Sequence, residues 1–574
     1  MSAVLTAQEP SAKYLVNLQP PLVRHFDLIA QAPGGVARLR ELILTLAVQG
    51  KLVPQDPSDE PASELLKKIR AEKDRLIAEG KIKRDKPLAE IADEEKPFEL
   101  PASWTWTRFG DVSINRDGER IPVSSSDRES RAKIYDYYGA SGVIDKIDGY
   151  LFEKTLLLIG EDGANLINRS TPIAFLAHGK YWVNNHAHVV DATHHQLLDY
   201  LALFINSISL RPYVTGTAQP KMNQAKLNSI LVAVPPLAEQ SRIVTRVEEL
   251  MQLCDALEAS GQLEAKQHAQ LVNTLLGTLT QSETPEALAD NWQRIATHFD
   301  VLLDRPEAVD ALEQTILQLA VRGLLVPQDP TDEPASVLLQ KIRTEKDHLI
   351  AQGKIKRDKP LPPITDEEKP FELPQGWEWA RFGDLAQISS GVTLGRKTPI
   401  SKPLLLPYLR VANVQRWTLK LESLKEVVID EKEVDRFKIC SGDLLITEGG
   451  DWDKVGRTAI WRDQLLSCLH QNHVFKARGV TAEWSPEWAE LYLNSDIARS
   501  YFAASAKQTT NLASINMTEL KNCVVPLPPS SEQSRIVTRV KELRSLCADL
   551  RQRLAALQSG QKQLATALIE NAKS

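Results

Sequence analysis

Leu46–Pro57 reads LAVQGKLVPQDP, and Leu319–Pro330 reads LAVRGLLVPQDP. The match is part of a longer one: His25–Asp111 and His298–Asp384 align at a constant offset of 273, with 59 identities in 87 positions and no gap. GKIKRDKPL recurs at Gly80–Leu88 and Gly353–Leu361, and DEEKPFELP at Asp93–Pro101 and Asp366–Pro374. Each copy closes on two tryptophans and Arg-Phe-Gly-Asp: Trp104, Trp106 and Arg108–Asp111, then Trp377, Trp379 and Arg381–Asp384. Self-similarity at a fixed spacing decides the architecture before any single element does.

A second pair of repeats runs at a different offset. PPLAEQSRIVTRVEELMQLCDALE (Pro235–Glu258) matches PPSSEQSRIVTRVKELRSLCADLR (Pro528–Arg551) 293 residues on, with 16 of 24 positions identical. The change of offset makes the intervening segment 20 residues longer in the second half. Those intervening segments show no comparable identity. The chain therefore reads as two like frames around two unlike cores: 1–111 repeated helical scaffold, 112–234 first core, 235–297 central helix and linker, 298–384 second scaffold, 385–527 second core, 528–574 C-terminal long helix.

The frames carry helical periodicity. Leu39, Leu42, Ile43 and Leu46 share one stripe of Arg38–Val48, which Gly50 stops. A second helix starts at Pro61, where a first turn tolerates proline, and runs to Gly80. In the C-terminal frame Ile536, Val540, Leu543, Cys547, Leu550, Leu554, Leu557, Leu564 and Leu568 alternate steps of four and three, a heptad seam interrupted at Gln561. Its first copy is Ile243, Val247, Leu250, Cys254 and Leu257, loosened at Gly261 before Val272, Leu275 and Leu279. Pro235-Pro236 and Pro528-Pro529 mark the helix starts, with Glu239 and Glu532 suited to the positive end of the dipole. At 1.5 Å per residue such a seam spans roughly 50 Å. Two like rods pair most simply antiparallel about a pseudo-two-fold axis. Ile243, Val247, Leu250, Ile536, Val540, Leu543, Leu550, Leu554 and Leu557 are the expected core of that pair.

The cores read as α/β with many short strands. Tyr150–Gly160 and Lys180–Val190 are strand-rich in the first core, Lys438–Gly450 and Ser467–Arg478 in the second. Glycines after the first strand of each pair, Gly160 and Gly163, Gly449 and Gly450, allow close approach to a ligand backbone.

The net charge of −6 is a mild argument against nucleic-acid binding, but the distribution softens it. Residues 113–230 carry 12 Lys/Arg and 12 Asp/Glu, and 386–523 carry 18 and 16, so the frames hold the negative excess. No run approaches the 18 or so apolar residues of a membrane span, and the N-terminus lacks a signal-peptide pattern. Cys254, Cys440, Cys468, Cys523 and Cys547 are far apart with no C-x-x-C pair, which suits a reducing cytoplasm and argues against a disulfide framework or zinc ribbon.

Two variable cores, each entered through Leu-Pro, Trp-x-Trp and Phe-Gly-Asp and left through Pro-Pro-x-x-Glu-Gln-x-x-Ile-Val, resemble the specificity subunits of type I restriction–modification enzymes. Asp443-Leu444-Leu445-Ile446 with Gly456-Arg457, Gln471-Asn472-His473, and Asn184-Asn185-His186-Ala187-His188 resemble patterns inside such cores. The long repeated section with DEPAS and GKIKRDKP is similar to the larger-subunit, type IB-like branch. The resemblance implies two α/β target-recognition domains, each reading half of a split DNA site, joined by the long paired helices. It implies docking of two modification subunits, which methylate adenine N6 with S-adenosylmethionine, and of two restriction subunits, which are ATP-driven translocating nucleases using Mg²⁺. None of these cofactors is expected on this chain. A spacer of roughly 50 Å is about one and a half turns of B-DNA, which lets two readers face one duplex with unread base pairs between them.

Catalytic motifs are missing from the sequence. There is no G-x-G, no Asp/Asn-Pro-Pro-aromatic tetrapeptide and no G-x-x-x-x-G-K-[ST], which argues against a fused restriction–methylation enzyme. Asp85 with Glu94 and Lys96, and Asp358 with Glu367 and Lys369, mimic a nuclease D…E-x-K spacing. Pro97 and Pro370 directly follow the lysines, and a solvated connector is the better reading. His186, His188, His194, His195 and Asp191 form the densest histidine group; polar strand and loop residues or DNA-facing donors outrank a metal site, and no metal is expected. An RNA- or protein-binding scaffold with no DNA target is the other alternative.

Base readers should come from the divergent cores, because Arg, Lys, Asn and Gln suit guanine and adenine edges. The loop candidates are Asn168, Arg169, Gln219, Lys221 and Asn223 in the first core, with Asn184, Asn185 and His186 from the patterned stretch. In the second they are Arg396, Lys397, Lys454, Arg457, Lys507, Gln508, Asn511 and Asn516, with Gln471, Asn472 and His473. The basic runs Lys81, Lys83, Arg84 and Lys354, Lys356, Arg357 are identical in both copies. They are either solvated loops or sites of phosphate contact or subunit docking common to both halves.

Overall fold

The computed structural model describes residues 28–573 apart from 85, 217–218, 283, 396–399, 451–453 and 510–511. The chain divides into two compact units, Met1–Glu264 with Leu557–Ser574, and Ala265–Ala556.

In the first unit the frame begins with helix Gly35–Val48, three residues longer at its start than the apolar stripe requires. Its Leu39, Leu42, Ile43 and Leu46 are buried, as the spacing predicts. Helix Ala62–Ala78 follows directly on Pro61 and buries Leu65 and Ile69. From its other end Lys73 donates to the carbonyls of Gly110 and Ser113 at 2.7 and 2.9 Å, fixing the entry to the core. That entry is strand Thr105–Arg108, which pairs antiparallel with the exit strand Leu231–Val234. Arg108, buried, donates to Ser229 O at 3.1 Å and to Glu95 of the DEEKPFELP connector at 2.9 Å. The connector is therefore a clasp on the arginine.

Between entry and exit lie two sheets. One has the order Ile114–Asn115, Ala187–Asp191, Leu156–Gly160, Ala174–Ala177, antiparallel throughout. The other has Gly142–Ile147 antiparallel to Tyr135–Gly139, with Tyr181–Val183 parallel to the latter. Every residue of Leu156–Gly160 and Ala187–Asp191 is buried, which explains the unbroken apolar run of the first; in the second the buried His188 and Asp191 are held by ion pairs to Asp117 and to Arg116 and Lys154.

The second unit repeats this plan. Helices Pro306–Val321 and Ala335–Ala351 stand for the first two, and Lys346 donates to Gly383 O at 2.7 Å as Lys73 does to Gly110. Strand Glu378–Arg381 pairs with Val524–Leu527, and Arg381 bridges Asn522 O and Glu368, each at 2.7 Å. Its core has the four-stranded order Ala386–Ser389, Val474–Gly479, Leu444–Thr447, Thr458–Ile460 and the three-stranded order Lys425–Asp430, Pro403–Leu409, Leu469–His470, the last pair again parallel. The cores share a topology that their sequences do not advertise. Much of the extra length sits in one place: the tight turn between Gly139 and Gly142 is replaced by residues 410–424.

Helices Leu237–Thr280 and Ser530–Lys573 are each 44 residues long. In the first unit Ile243, Val247, Leu250 and Cys254 share an apolar cluster with Ala565 and Ile569. In the second, Ile536, Val540 and Cys547 share one with Val272, Leu276 and Leu279, and Leu543, Leu550 and Leu554 pack against it half-buried. Each unit thus joins the start of one rod to the end of the other, the order of an antiparallel pair. Two expected seam residues fail. Leu557 is 60% exposed, Leu564 is exposed as well, and every residue of 258–267 and 559–564 faces solvent. The heptad continues there, but among the described residues no side chain covers its apolar positions. Burial resumes at Ala565 and Ile569, one residue later than the Leu564 and Leu568 of the expected seam.

Candidate nucleic-acid interface

At one end of each four-stranded sheet, three loops come together in the same way. In the first core Glu161 N donates to His186 O at 2.8 Å, and Met222 N donates to Glu161 O at 2.8 Å. In the second, Glu448 N donates to His473 O at 3.0 Å, and Ile515 N to Glu448 O at 2.9 Å. The loop after the central strand is thereby stitched to the turn before its neighbour and to the segment leading to the exit. Asp162 bridges Lys221 in one core, and Gly449–Gly450 pairs with Leu512–Ser514 in the other. Gly163 and Gly450 sit here with positive φ, which a non-glycine residue rarely adopts.

The platform gathers many of the candidates. Asn184 is buried and its Oδ1 accepts from His186 N at 2.8 Å, turning the chain so that Asn185 and His186 face outward. His186 Nδ1 lies 2.8 Å from Asp162 Oδ2. Lys221 reaches Glu161 at 3.2 Å, and Gln219 is exposed beside it in sequence. In the second core Gln471 N donates to Leu409 O at 2.9 Å, Asn472 is half-buried, and His473 Nδ1 lies 2.7 Å from Glu448 Oε2. Lys507 is exposed on strand Lys507–Thr509, which also carries Gln508. Lys454 is half-buried beside Gly450, and Arg457 donates to Gln415 at 2.6 Å.

Other candidates have different occupations. Arg169, at the end of helix Asn165–Asn168, turns inward and donates to Ile205 O and, at 2.7 Å, to Ile208 O. It satisfies carbonyls at the end of helix His195–Ser207, which orphans them by construction. Burial pushes its guanidinium pKa down, a further mark of an inward side chain. Asn223 and Asn516 cap the short helices Gln224–Asn228 and Met517–Asn522 through Lys226 N at 3.0 Å and Thr518 N at 2.8 Å. Asn168 is exposed away from these bonds. Arg396, Lys397 and Asn511 lie outside the described residues.

Among the described residues, Asp117, Glu161 and His188 bring potential metal ligands within 4.8 Å of one another. Their atoms are already engaged. His188 Nδ1 meets Asp117 at 2.6 Å and Nε2 meets Met222 O at 2.8 Å, while Arg120 and Lys221 hold Glu161. Burial is the largest single influence and raises the Asp117 carboxyl, but the bond and charge of His188, with the bonds from Asn115 and Val189 N, together outweigh it, so the carboxyl stays below its ordinary value. The group is an ion network in which Arg120 reaches both Asp117 and Glu161 and Lys221 reaches Glu161. Asp358, of the nuclease-like spacing, pairs with Lys521 at 2.6 Å, and Lys369 with Asp366 at 2.6 Å, while Asp85 lies outside the described residues.

Residues 101–267 and 374–558 match the family model of the type I restriction modification DNA specificity domain. The chain belongs to the specificity-subunit family of type I restriction enzymes. It is 38% identical over 569 residues to the type I restriction enzyme EcoAI specificity subunit of Escherichia coli, with 94% of each chain covered. It is 36% identical over 566 residues to the EcoEI specificity subunit of Escherichia coli, again with 94% of each covered. A chain from a structure of type I R-M complex assembly and conformational transition aligns over 83% of this chain and 99% of its own, at 18% identity and a TM-score of 0.47. A specificity subunit is the DNA-binding, non-catalytic component of its system, and works with DNA and the system's other subunits.

The shared basic runs of this specificity subunit stand in loops after helices Ala62–Ala78 and Ala335–Ala351. Lys83, Arg84, Lys354 and Lys356 are exposed, Lys81 pairs with Glu79 at 2.7 Å, and Arg357 lies 3.9 Å from Asp347. All five cysteines are free. No helix among the described residues is long and apolar enough to cross a membrane. Sequence reasoning missed Glu161, Asp162 and Glu448. Their signal was present in Ile159-Gly160-Glu161-Asp162-Gly163 and Ile446-Thr447-Glu448-Gly449-Gly450, two strand ends with an acid and a glycine at the same steps.

Proposed function

We propose that each core of this specificity subunit reads one half of a two-part DNA target while the helical frames hold the readers apart and dock the catalytic subunits. One observation carries the reading: two cores without comparable sequence identity share one topology on frames that are about two-thirds identical. A common scaffold with divergent reading surfaces is what an asymmetric split target requires, because positioning contacts are sequence-independent and base contacts are not. The frame surfaces, including the Lys81–Arg84 and Lys354–Arg357 runs, serve two modification subunits carrying S-adenosylmethionine, which methylate adenine N6. Two restriction subunits supply ATP-dependent translocation and Mg²⁺-dependent cleavage. The assembly works in the cytoplasm, and the subunit itself binds no cofactor.

Methylation mapping of cells expressing this subunit with its modification subunit tests the reading. A motif of two specified blocks separated by unspecified bases supports it. A single continuous motif, or none, contradicts it.

A further inference from the structure

Two rings stand at the same place in cores that otherwise share little sequence. His186 and His473 each follow the turn before a central strand, and each backbone carbonyl accepts from the acid that ends the neighbouring strand, Glu161 N at 2.8 Å and Glu448 N at 3.0 Å. Each ring is gripped through Nδ1 by a carboxylate: Asp162 at 2.8 Å in the first core and Glu448 at 2.7 Å in the second. The carboxylates are not in register. Glu448 corresponds to Glu161, whose own carboxylate is taken by Arg120 and Lys221, and the histidine is instead held from one residue further on. The pairing is common to both cores although the residue supplying the acid is not. The rings are half-exposed, 51% and 54%, and the acids are more covered, 16% and 27%. Among the described residues nothing bonds Nε2 of His186, and Nε2 of His473 meets only Asn472 Nδ2, at 3.4 Å.

We infer that His186 and His473 are matched contacts to the phosphate backbone of the duplex, one per half-site, each aimed by its carboxylate. The inference rests on the two-reader function proposed above. A feature shared by readers of different sequences cannot carry the difference between them, whereas every half-site offers phosphates in the same arrangement. The carboxylate accepts from Nδ1–H, so in a neutral ring Nε2 would only accept; held between a carboxylate and a phosphate, the ring donates from both nitrogens as the imidazolium, with Nε2–H aimed outward. Asp162 and Glu448 are then positioning residues.

The test uses the full-length subunit co-expressed with its modification subunit. The probes are a duplex carrying the mapped motif and one with the same bases scrambled. His186→Ala and His473→Ala should each weaken binding about tenfold on both duplexes. They should lower the slope of log affinity against log salt by about one, and leave the methylated motif unchanged. Asp162→Asn and Glu448→Gln remove negative charge beside DNA, so charge alone predicts tighter binding; loss of aim predicts weaker binding, and that is expected. Loss confined to the motif duplex, or a changed base in one half-site, would overturn the assignment in favour of base reading. Unchanged affinity at every salt concentration would overturn it outright, as would equal or tighter binding by the acid variants. Failure of the two-reader function would appear separately, as wild-type protein that does not prefer the mapped motif. Thermal melting of the variants, whose rings lie at the surface, reports any loss of fold.

Discussion

Trp104 donates its indole N–H to the buried carboxylate of Glu239 at 3.0 Å. Trp377 does the same to Glu532 at 3.0 Å, and Gln55 and Gln328 supply second donors at 2.5 and 2.7 Å. Each tryptophan stands at the doorway into a core and each glutamate on the first turn of the long helix leaving it. Entry and exit are thus tied at one point. A core inserted between such fixed ends can diverge or lengthen without disturbing the frame.

Trp104→Phe keeps the ring's bulk but strands the Glu239 carboxylate without its indole donor. Burial already pushes that carboxyl above its ordinary value, held back in part by Trp104 and Gln55. The substitution should cost about 1–3 kcal/mol in denaturant melting of the full chain. An unchanged midpoint would mean the bond is not part of what holds the doorway together.

Ile569→Ala and Leu276→Ala probe the exchange of rod ends. Ile569 is buried in the first unit's cluster and Leu276 in the second's. Each truncation should destabilise its unit by roughly 2–4 kcal/mol. Hydrogen exchange should rise in helix Gly35–Val48 for Ile569→Ala and in helix Pro306–Val321 for Leu276→Ala. Local fraying of the mutated helix alone would contradict the shared clusters.

Glu490 gives a pH signature. Burial pushes its carboxyl up to about 7 from an ordinary 4.5, against the bond it accepts from Ile460 N. Because the folded value lies above the unfolded one, its contribution is complete below about 4.5 and lost as pH rises through about 7. Glu490→Gln cannot titrate. Relative to wild type it should gain up to about 3 kcal/mol between pH 4.5 and 8. Parallel stability profiles in urea would refute this.

Arg169→Ala should lower stability by about 1–3 kcal/mol, through loss of the carbonyl cap at Ile205 and Ile208, and leave the methylated motif unchanged. A changed base in the first half-site would restore Arg169 to the reading surface.

The frames were legible because repetition and 3.6-residue periodicity leave marks in one sequence: Leu39, Leu42, Ile43 and Leu46 are buried as spaced. The seam failed at Leu557 because period says which residues share a face, not whether anything covers it. The common topology of the cores was hidden, since strands buried on both faces accept many apolar sequences. Arg169 was misplaced because a guanidinium that caps a helix and one that reads guanine look alike in sequence. The His186–Asp162 and His473–Glu448 pairs join residues 24 and 25 positions apart through strand register, which only the fold supplies.

The most direct measurement exchanges residues 112–234 for the corresponding core of another specificity subunit and maps methylated sites in cells carrying the chimera. The doorway formed by Trp104, Glu239 and the paired strands Thr105–Arg108 and Leu231–Val234 should accept the new core. One block of the motif should change and the other stay, with the same number of unread bases between them. Change in both blocks, or in neither, would contradict independent readers on a common frame.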